Sequence, residues 1–166
     1  MELRIQYATT ADGVSIAFWT LGEGRGFVEM PTIPVSHIQM EWQIPEWRRW
    51  YEALAQRRMV VRYDCRGAGL SDREVTDFSL DAQVLDLEAV VDRLGLEGFA
   101  LLGPIHAGPV AIAYAARHPD RVAHLILWHS WARTRDGASP QLRALARLRD
   151  TDWMVYSETV AHTLLG

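Results

Sequence analysis

One cysteine, Cys65, stands among 166 residues, so the chain can form no intrachain disulfide and no zinc site built on several cysteines. The simplest compartment for such a chain is a reducing one, and the expectation is a cytoplasmic protein. Long apolar runs are lacking too: none approaches the roughly 20 residues that a bilayer-crossing helix needs. The opening Met-Glu-Leu-Arg moves straight into a polar alternating segment, without the basic-then-apolar profile of a secretory leader. No excess of positive charge exists, because 17 basic residues face 21 acidic ones for a net charge of -4. No basic stripe interleaved with aromatics is present, which argues against nucleic acid as a partner. Nor is there a phosphate-cradling or dinucleotide motif, since Gly67-Ala68-Gly69 is too short to count as one. Internal repeats and low-complexity tracts are absent. What remains is a chain with 49% hydrophobic residues, enough for one domain with a real core.

The pattern of those residues predicts an alternation of strands and helices. Ile5 to Thr9 and Val14 to Thr20 read as two strands around Ala11-Asp12-Gly13, because Asp-Gly between alternating β-formers is a hairpin signal. Phe27 to Met30 is a third strand, stopped by Pro31. After a long loop, Pro45 to Gln56 sets Trp47, Trp50, Tyr51 and Leu54 at helical spacing. Met59 to Tyr63 is a strand that runs into the glycine-rich loop 64–71, and Ser79 caps a helix that runs to Leu94 with Gly95 as its stop. Phe99 to Leu102 and Val122 to Trp128 read as buried strands on either side of an alanine-rich helix, Pro109 to Arg117. Strand, helix, strand, helix, strand implies parallel strands joined by right-handed crossovers. Beyond the linker-like stretch Arg133 to Ser139, Pro140 to Arg149 and Trp153 to Leu165 read as two helices.

The chemistry-bearing position is the turn Gly103-Pro104-Ile105-His106-Ala107-Gly108. Small residues on both sides of a strand-to-helix turn let its central side chain project above the sheet, which is where a nucleophile belongs. Here the centre is Ile105, which has no nucleophilic atom. A β-branched residue held at a strained backbone costs about 1–3 kcal/mol, so either the turn relaxes or the strain stays without its chemical use.

This segment, from Leu101 to Val122, resembles the elbow and following helix of α/β-hydrolases. Tyr63-Asp64-Cys65-Arg66-Gly67-Ala68-Gly69-Leu70-Ser71 is similar to that family's aspartate-arginine-glycine-x-glycine-x-serine loop. Ser36-His37-Ile38-Gln39-Met40-Glu41-Trp42 looks like a bacterial subgroup whose hydrolase domain is often fused to cyclase or helix-turn-helix regulatory domains. The resemblance implies an α/β fold, a mostly parallel sheet with flanking helices that stops after the strand following the elbow helix. It divides the chain into an incomplete hydrolase core over 1–132 and the start of a helical cap over 133–166. It also implies that Asp64 and Arg66 tie their loop together, that no metal or organic cofactor is used, and that the nucleophile position is Ile105. Met30-Pro31-Thr32 stands where many members have a His-Gly oxyanion turn, and the family's acid and base fall on strands beyond Trp128, leaving the triad incomplete in this sequence.

Each candidate has a plainer alternative. His106 follows the nucleophile position, so its backbone N–H is an oxyanion donor and its imidazole a candidate base. Pro31, Thr32, His129 and Trp131 are the candidate substrate contacts at the carboxyl ends of the strands, although a polar strand end is also an ordinary start for a loop. Ser36 and His37 read as loop-capping residues, Cys65 as a half-buried loop thiol, and Glu29 as an odd charge that pairs with an arginine. Trp42, Trp47 and Trp50 read as core, while Trp128, Trp131 and Trp153 could line an apolar pocket. Three functions follow: an esterase-like hydrolase of small acyl esters, a non-catalytic relative that binds a ligand or partner, or a piece or altered form of a longer hydrolase. Without later strands, Val122 to Trp128 would be an exposed apolar sheet edge, so a homodimer or domain-swapped assembly is expected, with no nucleic-acid or membrane partner.

Overall fold

The computed structural model describes residues 3–32 and 36–133, with 148, 151, 152, 154–156, 158, 159 and 162 beyond them. The chain divides into two compact units, Met1–Ala132 and Arg133–Gly166. The two helices expected after Ser139 fall largely outside the described residues.

The first unit is a six-stranded sheet: β1 (Gln6–Thr9), β2 (Ser15–Leu21), β3 (Gly26–Glu29), β4 (Met59–Tyr63), β5 (Phe99–Pro104) and β6 (Val122–Trp128). Its spatial order is β1-β2-β4-β3-β5-β6. The first hairpin is antiparallel and also pairs antiparallel with β4, whereas β4, β3, β5 and β6 run parallel. This is the mixed, mostly parallel sheet that the alternating pattern demands.

Alternation along the strands splits the interior into two layers. Ile16 and Phe18 of β2, Val28 of β3, Val61 and Tyr63 of β4 and Leu101 of β5 face one side. There they pack against α3 (Leu80–Arg93) and α4 (Gly108–Arg117) through Val84, Leu87, Val90, Val91, Val110 and Tyr114. Ala17, Trp19 and Val60 point the other way and meet α1 (Ile38–Glu41) and α2 (Pro45–Ala55) through Ile38 and Tyr51. The long loop foreseen after β3 therefore contains a one-turn helix that no periodicity could reveal in four residues. The cap on α3 is as expected, with the Ala82 N–H donating to the Ser79 hydroxyl at 3.2 Å and Gly95 taking φ 59 beyond its end.

Two burial expectations are corrected. On α2 only Tyr51 is fully buried; Trp47 stacks on the Tyr51 ring from outside, and Trp50 is 45% exposed. Of that cluster Trp42 alone is core, edge-on to Trp19. The apolar strand β6, read as buried from its composition but as an exposed edge in the absence of later strands, is exposed: so is every residue of the strand from Ala123 onward, with Trp128 at 62%. Its apolar character answers a sheet edge and face that no element among the described residues covers.

Candidate active site

Three parallel neighbours, β3, β5 and β6, end side by side, because Glu29 pairs with Leu102 and Pro104 with Trp128. Their exits bring Pro31, Ile105 and the 129–131 segment to the same end of the sheet. From β5 the chain enters a single 3₁₀ turn, Ile105–Ala107, and then α4. Ile105 takes φ 47, a left-handed backbone that β-branched residues avoid. Of the two outcomes foreseen for this turn, the strain is the one kept.

Close packing explains how the turn is held. A Cβ on Gly103 would lie 2.7 Å from the Ala111 Cβ, so only glycine lets α4 settle onto β5. A Cβ on Gly108 would lie 1.7 Å from the Ser130 Oγ. That space is used: the Ser130 hydroxyl donates to the Ile105 carbonyl at 2.6 Å and clamps the turn from the end of β6. His129, just before it, is the other non-glycine residue with positive φ, at 52. One hydrogen bond thus ties the strained turn at Ile105 to the residue that follows the strained His129. The clamping role of Ser130 was not legible in the sequence; the glycine at 108, directly after Ala107, was the available signal that something presses there.

His106 and Trp131 meet edge to face, 5.1 Å between centroids, and partial burial pushes the His106 imidazole below its usual range. Its ring is therefore neutral at pH 7, the form in which a histidine can accept a proton. The Trp131 indole N–H is buried without a hydrogen-bond partner among the described residues. On the β3 side, the Met30 N–H donates to the Leu102 carbonyl at 3.0 Å, and Arg62 NH1 donates to the carbonyls of Glu29 at 2.9 Å and Met30 at 2.7 Å. Pro31 is buried and offers no N–H; Thr32 is half-buried. The turn opposite the elbow is thus fixed from beneath by a buried guanidinium.

The same guanidinium pairs with Glu41 at 2.6 Å, and Glu41 also accepts from the Tyr51 hydroxyl at 3.1 Å. Glu29 was expected to pair with an arginine. Its carboxylate instead accepts from the Trp50 indole at 3.0 Å, and burial pushes it above the ordinary carboxylate range against the pull of Arg62. Asp64 accepts from the Ser36 hydroxyl at 2.5 Å and from the N–H groups of Ile38 and Leu70 at 3.0 and 2.9 Å. Gly69, at φ 53, lies so close that a Cβ there would sit 2.1 Å from Asp64 Oδ2. Arg66 binds Asp86 through its own N–H and Nε, at 3.0 and 2.9 Å, and Asp12 through its terminal nitrogens. The segments 36–42 and 64–71 are therefore one structural lattice beneath the site.

The other hydroxyl and thiol candidates are committed elsewhere. Ser71 donates to the Asp64 carbonyl at 2.7 Å and accepts from the Ala17 N–H. Cys65 is buried rather than half-buried, and burial pushes its thiol up to about 12, so no thiolate is available near neutrality. Among the described residues no group of three or more His, Cys, Asp or Glu side chains could hold a metal ion.

The family model for the alpha/beta hydrolase fold matches residues 36–154, well over half of the sequence. This chain belongs to the α/β-hydrolase fold family. Among its relatives is a protein named as a carbamate hydrolase, RutD, of Caulobacter sp. (strain K31). It is 34% identical over 116 residues, which are 66% of this chain and 42% of that protein. Among solved structures, a thermophilic esterase from Thermogutta terrifontis matches with a TM-score of 0.69 and 28% identity over 88% of this chain and 53% of the other. An esterase from Exiguobacterium antarcticum matches with a TM-score of 0.76 over 95% of this chain and 60% of the other; at 22% identity that likeness concerns the fold alone. The hydrolase-fold chain thus spans about two fifths of the length of the curated relative RutD.

Proposed function

We propose that this hydrolase-fold unit binds a small acyl ester, or a similarly apolar carbonyl compound, at the mouth of an esterase-like site without cleaving it through residue 105. The observation that carries the reading is Ile105 at φ 47. The elbow keeps the strained backbone that would present a nucleophile, yet presents an aliphatic side chain, so shape is retained where chemistry is not. Pro31, Thr32, His129 and Trp131 would line the ligand's apolar part. The backbone N–H of His106 would donate to its carbonyl, with no metal or organic cofactor required. Segment 133–166 would begin the helical cap that the family resemblance implies, and the lone buried Cys65 suits a reducing, cytoplasmic setting.

The test is a titration with methyl butyrate that follows the His106 ring by NMR while the ester is assayed by gas chromatography. The expected result is a saturable shift of the His106 resonances with the ester recovered intact. Butyrate released faster than in buffer would overturn the reading, and so would an unmoved His106. A rival reading, an esterase with a substitute nucleophile, has one observation in its favour: the Ser130 hydroxyl lies beside the elbow, 2.6 Å from the Ile105 carbonyl. In that geometry its proton is donated to a carbonyl rather than to a base, which favours the clamp.

The partner we propose for the exposed β6 edge is a second copy of this chain. β6 is seven residues long and contains neither a lysine, an acidic residue nor a proline to discourage pairing. A two-fold axis would set it antiparallel to itself.

A further inference from the structure

Beneath the turn 30–32, the charges buried on one face of β3 and β4 do not balance. The parallel register sets Glu29 beside Arg62, and Glu41 of α1 reaches the same guanidinium. Glu29 is 5% exposed and Arg62 2%, so two carboxyl groups share one buried cation. The other groups that face them are uncharged. Trp50 and Tyr51 come from α2, and Tyr51 stays neutral because burial pushes its hydroxyl above its ordinary range; β5 sets Leu102 beside Glu29. A guanidinium neutralises one carboxylate, and a second charge left over inside a fold is costly. Glu41 takes the guanidinium through Nε and Nη2, at 3.2 and 2.6 Å. The Glu29 carboxyl has the Trp50 N–H alone among the described residues, and burial strengthens its hold on a proton. Glu29 is thus the member of the pair that stays protonated. The remaining nitrogen of Arg62, Nη1, donates to the main-chain carbonyls of Glu29 and Met30, the two residues that lead into Pro31 and Thr32.

We infer that Glu29 is a positioning residue whose proton keeps the turn 30–32 in its binding shape. With the proton in place, Arg62 Nη1 is free to brace the two carbonyls; with the proton lost, the new carboxylate draws Nη1 away from them and the turn slackens. The consequence for a ligand rests on the ester-binding reading proposed above, in which Pro31 and Thr32 touch the ligand, whereas the consequence for the turn does not. Glu29 is raised from an ordinary 4.5. The brace therefore outlasts the pH at which an ordinary glutamate ionises, and is lost as the pH rises through the folded-state value.

The experiment titrates the 166-residue chain from about pH 4 to about pH 9 by NMR. The Trp50 indole N–H resonance reports the charge on Glu29. Exchange protection of the Met30 N–H, which is bonded to the Leu102 carbonyl, reports the turn once its intrinsic pH dependence is removed. The indole should shift with a midpoint above 4.5, and Met30 protection should fall with the same midpoint. Glu29→Gln keeps an oxygen for the Trp50 N–H but never ionises, and should abolish both changes. Trp50→Phe removes the donor that favours the charged form, so the midpoint in Met30 protection should rise. Methyl butyrate should bind the parent at least about threefold more weakly above the midpoint than below it, and bind Glu29→Gln without that step. A midpoint at or below 4.5, Met30 protection indifferent to the indole titration, or a Glu29→Gln chain that titrates like its parent would overturn the inference. Equal ester affinity on both sides of the midpoint would overturn it too. Failure of the ester to bind at any pH would overturn the ligand-binding reading instead, and Met30 protection alone would then decide this one.

Discussion

Ile105 concentrates the residue-scale argument. A β-branched side chain at φ 47 stores about 1–3 kcal/mol that an asparagine, tolerant of left-handed backbone, would not. Against this, a half-buried isoleucine gains on the order of 1 kcal/mol from what it covers. Ile105→Asn is therefore expected to raise the urea midpoint or leave it level, where the same change at an ordinary half-buried isoleucine would lower it. Gly103→Ala should do the opposite, lowering stability by about 1–3 kcal/mol, because its new methyl group would sit 2.7 Å from the Ala111 Cβ. Urea unfolding of the two variants beside the parent checks both. The sequence showed that the elbow position carried the wrong residue, because motif spacing is local. It did not show whether the turn had relaxed, because the answer depends on Ser130, which is 25 residues away in sequence.

Among the elements, the lattice that joins the first hairpin, the 64–71 loop and α3 runs through Arg66. Its hydrogen bonds to Asp12 hold that carboxyl at about 2, below the ordinary 3.8. A carboxyl depressed in the folded state contributes stability that is present above its unfolded pKa and is lost as the pH falls through its folded one. The Asp12 contribution is therefore complete above about pH 4 and disappears toward pH 2. Asp12→Asn should make the acid limb of a stability-against-pH curve shallower in that window while lowering stability at pH 7; because Asp12 is partly exposed, the loss should be modest, within about 1 kcal/mol. Burial acts oppositely on Asp86, the other partner of Arg66, and pushes it up to about 6, so its titration falls above the Asp12 window. The strands, α2, α3 and α4 were readable from alternation, caps and breakers. The one-turn α1 was not, since its shape comes from Asp64 and Arg62 gripping Ile38 and Glu41 across long sequence distances. Trp47 and Trp50 misled for a related reason: helical spacing gives a face but not how deep each position on it sits, and on α2 only Tyr51, edge-on to Trp19, is buried.

At the scale of the whole molecule, the uneven coverage of the sheet governs behaviour. β6 was legible as a strand, and its apolar composition read as burial, because composition reports what a segment needs covered rather than what covers it. With Ile126 at 42% and Trp128 at 62% exposure, the 166-residue chain is expected to run as a dimer by light scattering at micromolar concentration. Leu125→Lys with Leu127→Lys, which charge one face of the edge strand, should shift it to a monomer. A parent chain that is monodisperse and monomeric would count against edge pairing.

The central claim is that the elbow is kept as a shape and presents no nucleophile. Intact-mass analysis of the parent chain after treatment with a fluorophosphonate tests it most directly. The account predicts an unmodified mass, with Cys65 buried, Ser36 and Ser71 bound to Asp64, and Ser130 donating to the Ile105 carbonyl. A stoichiometric adduct, mapped by peptide sequencing to Ser130 or any other serine, would contradict it and make this chain a hydrolase with a displaced nucleophile.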